Sequence, residues 1–319
     1  MSHRSFEGRS PSATAGRYLD RLTKALPGGR HWSGRGNREF WPEGAKLVIS
    51  ISLQVEGTPH LERSVFAPEQ RLPDLGAAKF REYGFKEGIP RLLDVFQRRR
   101  IRVTSHMAGE AVDRNPELAR EIVERGHEAA VLGQSWAARA INAEEERASV
   151  ESDLKSVTRA TGSRPVGFHA FCMRRTQSTL EILQDLGFLY HIDDVSRDEP
   201  FVTPVRGKPF VAVPFTIHMN DLVQYESRFF STEQYAADLR NEFEMLYSEA
   251  ESRRRMMSVS AHDYISGRPA RAKVLEEFII SAQRRPGVVF LRKDEIAKVA
   301  IASAITLREE EPARAADAA

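Results

Sequence analysis

The chain has 319 residues, 41% of them apolar, and 47 Lys+Arg against 45 Asp+Glu leave a net charge of +2. Such a chain can bury a full core, and its balanced charge gives no global signal for nucleic acid or a membrane surface. The single cysteine, Cys172, excludes an internal disulfide and suits a reducing compartment. No apolar run reaches bilayer length and the first thirty residues lack a signal-peptide core, so the expectation is a soluble, cytoplasmic protein.

Residues 1–40 are rich in Arg, Gly and Ser without periodicity, and are expected to form an extended or partly disordered arm, or one ordered against a partner subunit. A turn at Trp41 to Lys46 feeds Leu47–Leu53, a strand apolar enough to be buried on both faces, with Gln54-Val55-Glu56-Gly57 at its carboxyl end. The Pro-rich stretch from His60 to Lys79 is too long for a simple connector and reads as a lid or site wall. A helix is predicted from Glu87 to Arg100, with Ile89, Leu92, Leu93 and Phe96 on one face. A strand from Ile101 to Met107 and a helix over 117–125, opened by Pro116, come next.

Gly126 stops that helix, and Glu128–Gly133 is a short buried strand with Gln134, Ser135 and Trp136 just past its carboxyl end. Asn142 caps a long helix that ends at Gly162. Then come a strand at Pro165–Phe171, a helix from Gln177 to Leu186, and strands at Phe188–Ile192 and Val211–Ile217. Pro214 implies a bulge or an edge in the last of these. A helix runs from Ser231 to Arg255, begun by Ser231-Thr-Glu-Gln. A strand at Met257–His262, a helix at Ala270–Arg284 and a strand at Val288–Arg292 complete the pattern. The basic runs Arg98–Arg100 and Arg253–Arg255 end predicted helices and read as solvated caps. Alternating strands and helices without repeats imply parallel strands in one α/β domain over 41–305, with a flexible tail at 306–319. Ligands are expected at the carboxyl ends of the strands.

Several short motifs run in one order along the chain: Trp41-Pro-Glu-Gly-Ala45, Arg81-Glu-Tyr-Gly84 with Gly88-Ile-Pro-Arg-Leu-Leu93, Arg125-Gly-His-Glu-Ala-Ala-Val-Leu-Gly-Gln-Ser-Trp136, Gly187-Phe-Leu-Tyr190, Val213-Pro214 with Asn220-Asp221, and His262 with Gly267-Arg-Pro269. Together they resemble the polysaccharide deacetylase (NodB-homology) superfamily over residues 40 to 300. The resemblance is closest to the branch holding bacterial allantoinases and cyclic-imidase or peptidoglycan-deacetylase-like proteins. It implies an α/β fold, a distorted (β/α) barrel of about seven parallel strands. It also implies a homo-oligomer, a tetramer or dimer, acting on a small-molecule substrate.

In metal-dependent relatives a D-x-D pair ends the first strand, its first acid a general base and its second a metal ligand, and two later histidines complete the metal site. Here these positions are Gln54 and Glu56, then Leu132 and Trp136. Gln54 cannot take a proton, and Glu56 alone cannot hold a divalent ion against water, so the expectation is no cofactor. The allantoinase-like members keep Trp at the last position, carry Asn at the first, and retain His where this chain has Leu132. A rebuilt divalent-metal site is the alternative, with Glu56 and two of His106, His169 and His218, and with His60 also at the predicted mouth.

Glu56 and His262 are the candidate catalytic pair, since a His held by a carboxylate suits proton transfer near neutral pH and Asp263 follows His262. Gln54, His106, Gln134, Trp136, His169, Asn220, Asp221 and Arg268 are the candidate substrate contacts. Asn220 and Asp221 have a turn-capping alternative, and Arg268 a helix-start one. His127 opens a strand at the far end of the sheet and reads as structural. Cys172, between Phe171 and Met173, reads as packing. Trp136, Phe171, Tyr225 and Phe229 are candidates to line an aromatic pocket, with core packing the alternative and favoured for Phe229. Two functions compete. One is a metal-independent hydrolase of a C–N bond in a cyclic amide, imide or ureide; the other is a catalytically altered member, either a binding pseudoenzyme or a ring isomerase or lyase.

Overall fold

Along β1 (Leu47–Val55) two sets of side chains alternate, and the strand is buried at every position. Leu47, Ile49, Ile51, Leu53 and Val55 face the larger apolar cluster, which the helices cover. Val48 belongs instead to a second cluster with Tyr190, Ile192, Val211 and Met256. Ser50, Ser52 and Gln54 share its face by the two-residue period of a strand. That polar face lines the inside of a curled sheet and leads to the site.

The computed structural model describes residues 40–56, 75–133 and 142–303. After β1 come α1 (Leu75–Tyr83), a π-helical segment Gly84–Gly88, and α2 (Ile89–Arg99). Next are β2 (Thr104–Ala108), α3 (Gly109–Arg114), α4 (Pro116–Glu124) and β3 (Glu128–Gly133). Then follow α5 (Ala143–Thr161), β4 (Gly167–Ala170), α6 (Thr179–Asp185), β5 (Tyr190–His191), β6 (Phe201–Val205) and β7 (Lys208–Ala212). A second π segment, Leu222–Ser227, leads to α7 (Thr232–Glu249), β8 (Met256–His262), α8 (Pro269–Gln283) and β9 (Val288–Phe290). Residues 293–303 are helical.

The nine described strands form one sheet in the order β6-β7-β5-β4-β3-β2-β1-β8, with β9 also on β1. All pairings are parallel except β6 with β7. The sheet curls into a half-barrel, a distorted (β/α) barrel. Where it does not close, Asn220 bridges Ser260 of β8 and Ser258 donates to the Pro214 carbonyl at 2.6 Å.

Helix starts follow their caps. Asn142 accepts from the Glu145 N–H at 2.9 Å, and Ser231 with Gln234 forms a reciprocal capping box. Other elements differ from expectation. The helix predicted to reach Arg255 ends at Glu249, because Arg254 and Arg255 turn back to pair with Glu199 and Glu249 in half-buried contacts. They are therefore not solvated caps. Arg98 and Arg99 instead reach across to Glu276 on α8. The strand predicted over 211–217 ends at Ala212 and belongs to a hairpin with β6, and α3 was not expected at all. Phe229 is not core: it is 80% exposed at φ 56°. No described helix is long and apolar enough to cross a membrane.

Candidate active site

Parallel register sets His262, the last residue of β8, beside Gln54 of β1, which in turn lies beside His106 of β2. The Asn220–Ser260 bridge then fixes the neighbouring Asp221 against His262. One Asp221 oxygen meets His262 Nδ1 at 2.5 Å. The other accepts from the His262 N–H at 2.7 Å, the Ser266 hydroxyl at 2.6 Å and the Ser266 N–H at 3.1 Å. On the far side of the ring, Nε2 lies 3.3 Å from Glu56 Oε1. Asp221, His262 and Glu56 thus form one continuous chain.

A carboxylate only accepts, so both ring nitrogens must carry protons toward their two acids. Burial pushes the His262 pKa down, but Asp221 and then Glu56 overcome it and hold the imidazolium up to about 10. For Glu56, burial raises the carboxyl, and His262, with help from Arg81, brings it below its usual value. The resting pair is carboxylate and imidazolium. Asp263 is not the carboxylate behind His262, because its Oδ1 accepts from the Tyr264 N–H at 2.7 Å. Burial and then the Glu56 charge push its pKa up to about 7.

Several buried polar atoms around this chain have no hydrogen-bond partner among the described residues: Glu56 Oε2, Gln54 Oε1, Asp263 Oδ2, Arg81 Nη1 and both ring nitrogens of His106 and of His169. Since buried polar groups are nearly always satisfied, such a concentration marks a place that a ligand or water completes. The two imidazoles meet edge to face with centroids 5.4 Å apart. Burial drives both pKa values down, so both rings are neutral donor–acceptors. His169 Nε2 lies 3.8 Å from Asp193, which itself accepts from the Ala170 N–H. The Gln54 amide spends its Nε2 on Ser260 Oγ at 3.5 Å.

The other predicted residues fall as follows. Asp221 is fully buried behind His262, where it holds the ring rather than facing the mouth. Asn220 Oδ1 accepts from the Leu222 N–H at 3.0 Å, its turn-capping alternative. Arg268 donates to the Tyr264 and Phe80 carbonyls and stacks on Tyr83, at the start of α8. His218 is exposed and lines a separate crevice of about 100 Å³ at the barrel seam, with Phe215, Ile217 and Glu242. Tyr225 is buried under Arg271 with its hydroxyl unpartnered. His127 Nδ1 accepts from the Val103 N–H at 3.1 Å. Gln134, Trp136, His60 and most of the 60–79 loop lie outside the described residues, as do the arm before residue 40 and the tail after 303.

The donors do not fit the metal of the metal-dependent relatives. Leu132, at the first of the two histidine positions, is a buried aliphatic side chain beside His169 in the register. Among the described residues, no three His, Cys, Asp or Glu side chains come together so as to hold a metal ion. Nothing local in the sequence points to Asp221 as the support of His262 or to a role for Arg81, since no spacing links either to Glu56.

Comparison with known proteins agrees with this architecture. Residues 80–191 match the polysaccharide deacetylase family model. The structure resembles that of a probable polysaccharide deacetylase from Pseudomonas aeruginosa PAO1, with TM-score 0.75 and 30% identity over 83% of this chain and 94% of that one. It also resembles the Puue allantoinase, with TM-score 0.75 and 26% identity over 86% and 97% of the two chains. A putative polysaccharide deacetylase of Schizosaccharomyces pombe is 23% identical over 81% of this chain and 91% of its own length. On these grounds the chain belongs to the polysaccharide deacetylase family, the NodB-homology superfamily.

Proposed function

We propose that the protein is a metal-independent hydrolase of a non-peptide C–N bond in a small cyclic amide, imide or ureide. The observation that carries this reading is the Asp221–His262–Glu56 chain, which pairs a base with an acid without calling on a metal ion. As water attacks the carbonyl carbon, Glu56 takes its proton and the carbonyl π pair moves onto oxygen. When the C–N bond breaks, its electron pair goes to nitrogen, which takes the Nε2 proton of His262. Glu56 then passes its proton to His262, restoring the pair; the net change is one water added across the bond, giving a carboxylic acid and an amine, amide or urea nitrogen according to the ring. Asp221 keeps Nδ1 protonated throughout, as a carboxylate does in hydrolytic triads. Neutral His106 and His169, with Gln54 Oε1, offer donors and acceptors for an amide or imide edge. The likeness to an allantoinase supports a ureide among the candidates.

The second reading, a binding protein that has lost its chemistry, is favoured by Leu132, which removes an imidazole from the mouth. A panel of ureides, cyclic imides and N-acetylated sugars, followed by proton NMR, separates the two. The hydrolase reading expects ring opening of a ureide or imide by wild type and none by His262→Ala. Saturable binding with no turnover of any panel member supports the binding protein instead.

A further inference from the structure

Metal-free hydrolysis of an amide needs something to stabilise the charge that builds on the carbonyl oxygen. Neither Glu56 nor Asp221 can do so, being anionic, and His262 is committed to both of them. Arg81 is placed to do it. It lies on α1, one turn before Gly84, and its position follows from close glycine packing. A Cβ on Gly84 would come within 2.8 Å of the Asp263 carboxyl carbon, and one on Gly88 or Gly267 would collide with the Asp263 carbonyl oxygen. Without those atoms the helix rests directly on Asp263 and Tyr264, the two residues that follow His262. The Arg81 guanidinium then lies 4.9 Å from the Tyr264 ring centroid, close enough to Glu56 and Asp263 for its charge to act on both carboxyls.

Its Nη1 is wholly buried and has no hydrogen-bond partner among the described residues. A desolvated guanidinium N–H left bare is costly, so its persistence at a mouth full of other unpartnered atoms points to a ligand oxygen. We propose that Arg81 is the electrophilic contact of the site. Its Nη1 donates to the scissile carbonyl oxygen as that oxygen gains charge, and afterwards to an oxygen of the carboxylate product. This rests on the hydrolytic reading above, and it goes beyond it by naming the group that takes a metal's part at the carbonyl. The planar, permanently charged fork suits a carboxylate better than a lysine ammonium would.

The test compares succinamate with succinamide, ligands of one shape that differ by a carboxylate, by calorimetry on wild type, Arg81→Lys and Arg81→Gln. Wild type should prefer succinamate by tenfold or more, Arg81→Gln should lose the preference, and Arg81→Lys should keep part of it. Protein carrying ¹⁵N-arginine gives a second readout that needs no Gln variant: an Nη signal missing from Arg81→Lys should shift as succinamate is added to wild type. An undiminished preference in Arg81→Gln, no preference in wild type, or an unmoved Nη signal overturns the proposal. The two claims fail separately. An Arg81-dependent carboxylate preference in a protein that opens no ring sinks the hydrolytic reading alone, whereas ring opening with kcat unchanged in Arg81→Gln sinks the role of Arg81 alone.

Discussion

Replacing Asp221 by Asn changes one charge and almost no volume, and the hydrogen bonds around it dictate the outcome. The Oδ2 side of Asp221 receives three donors: the His262 N–H, the Ser266 N–H and the Ser266 hydroxyl. An Asn must keep its single oxygen there, so its NH₂ group has to point at His262 Nδ1. That nitrogen becomes an acceptor, and the ring is held as the neutral tautomer with its proton on Nε2. The imidazolium loses the larger of its two charge partners, and its pKa falls from about 10. A neutral imidazole is a poor acid toward a departing nitrogen, and general acid–base assistance accounts for roughly 10²–10⁴ in rate, so kcat should fall by about that factor with KM little changed. Stability should fall by about 1.5–3 kcal/mol, the worth of one hydrogen bond to a charged group. Steady-state kinetics on the ureide found in the substrate panel, urea unfolding, and ¹⁵N NMR of the His262 ring measure the three effects. A variant with wild-type kcat, or one whose Nδ1 still carries a proton at pH 8, would refute the reasoning.

Three further outcomes are expected. The rate should rise with pH through the lowered pKa of Glu56, below the ordinary carboxylate range, and fall as His262 loses its proton near pH 10; a profile centred on pH 6.5 contradicts the pairing. Lys293 is fully buried with Nζ 3.1 Å from Ser50 Oγ, and burial lowers its pKa to about 7. The unfolded chain then binds more protons than the folded one between about pH 7 and the usual lysine value. The Lys293 contribution to stability therefore climbs across that window, by up to about 1.4 kcal/mol per pH unit, against the opposite slope of His262, whose pKa is raised to about 10. The stability advantage of Lys293→Met over wild type should shrink by that slope in urea titrations between pH 7 and 10. Gly88→Ala forces a methyl against the Asp263 backbone, which cannot swing away as a side chain could. A loss of about 1–3 kcal/mol in urea unfolding is expected, together with reduced activity through displaced His262.

The elements that carry the site were legible because their signals are local. The apolar run before Gln54 predicts β1, the caps Asn142 and Ser231 predict two long helices, and Leu132 is visibly no ligand from its chemistry alone. The β6–β7 hairpin was missed because Pro204 and Pro209 argue against strands. Its two-residue turn, Arg206-Gly207, with both residues at positive φ, carries only one glycine as a signal. The companion of His262 illustrates the limit better. Adjacency in sequence favours Asp263, but the backbone turns that side chain onto the Tyr264 N–H, and the carboxylate that meets the ring comes from 41 residues away. Only the closing of the half-barrel at Asn220 and Ser260 makes that contact. The glutamate of the Arg125-Gly-His-Glu motif is likewise explained only in three dimensions. Glu128 accepts from Thr104, Tyr190 and the Asp294 N–H inside the barrel, below the site.

The most direct test is turnover of the ring-opening substrate by protein depleted of metal with a chelator and checked by elemental analysis, with Glu56→Gln assayed beside it. The Asp221–His262–Glu56 account predicts that the depleted wild type keeps its full kcat and that Glu56→Gln loses it by about 10²–10⁴. Activity that vanishes on depletion and returns with added zinc, nickel or cobalt would contradict it.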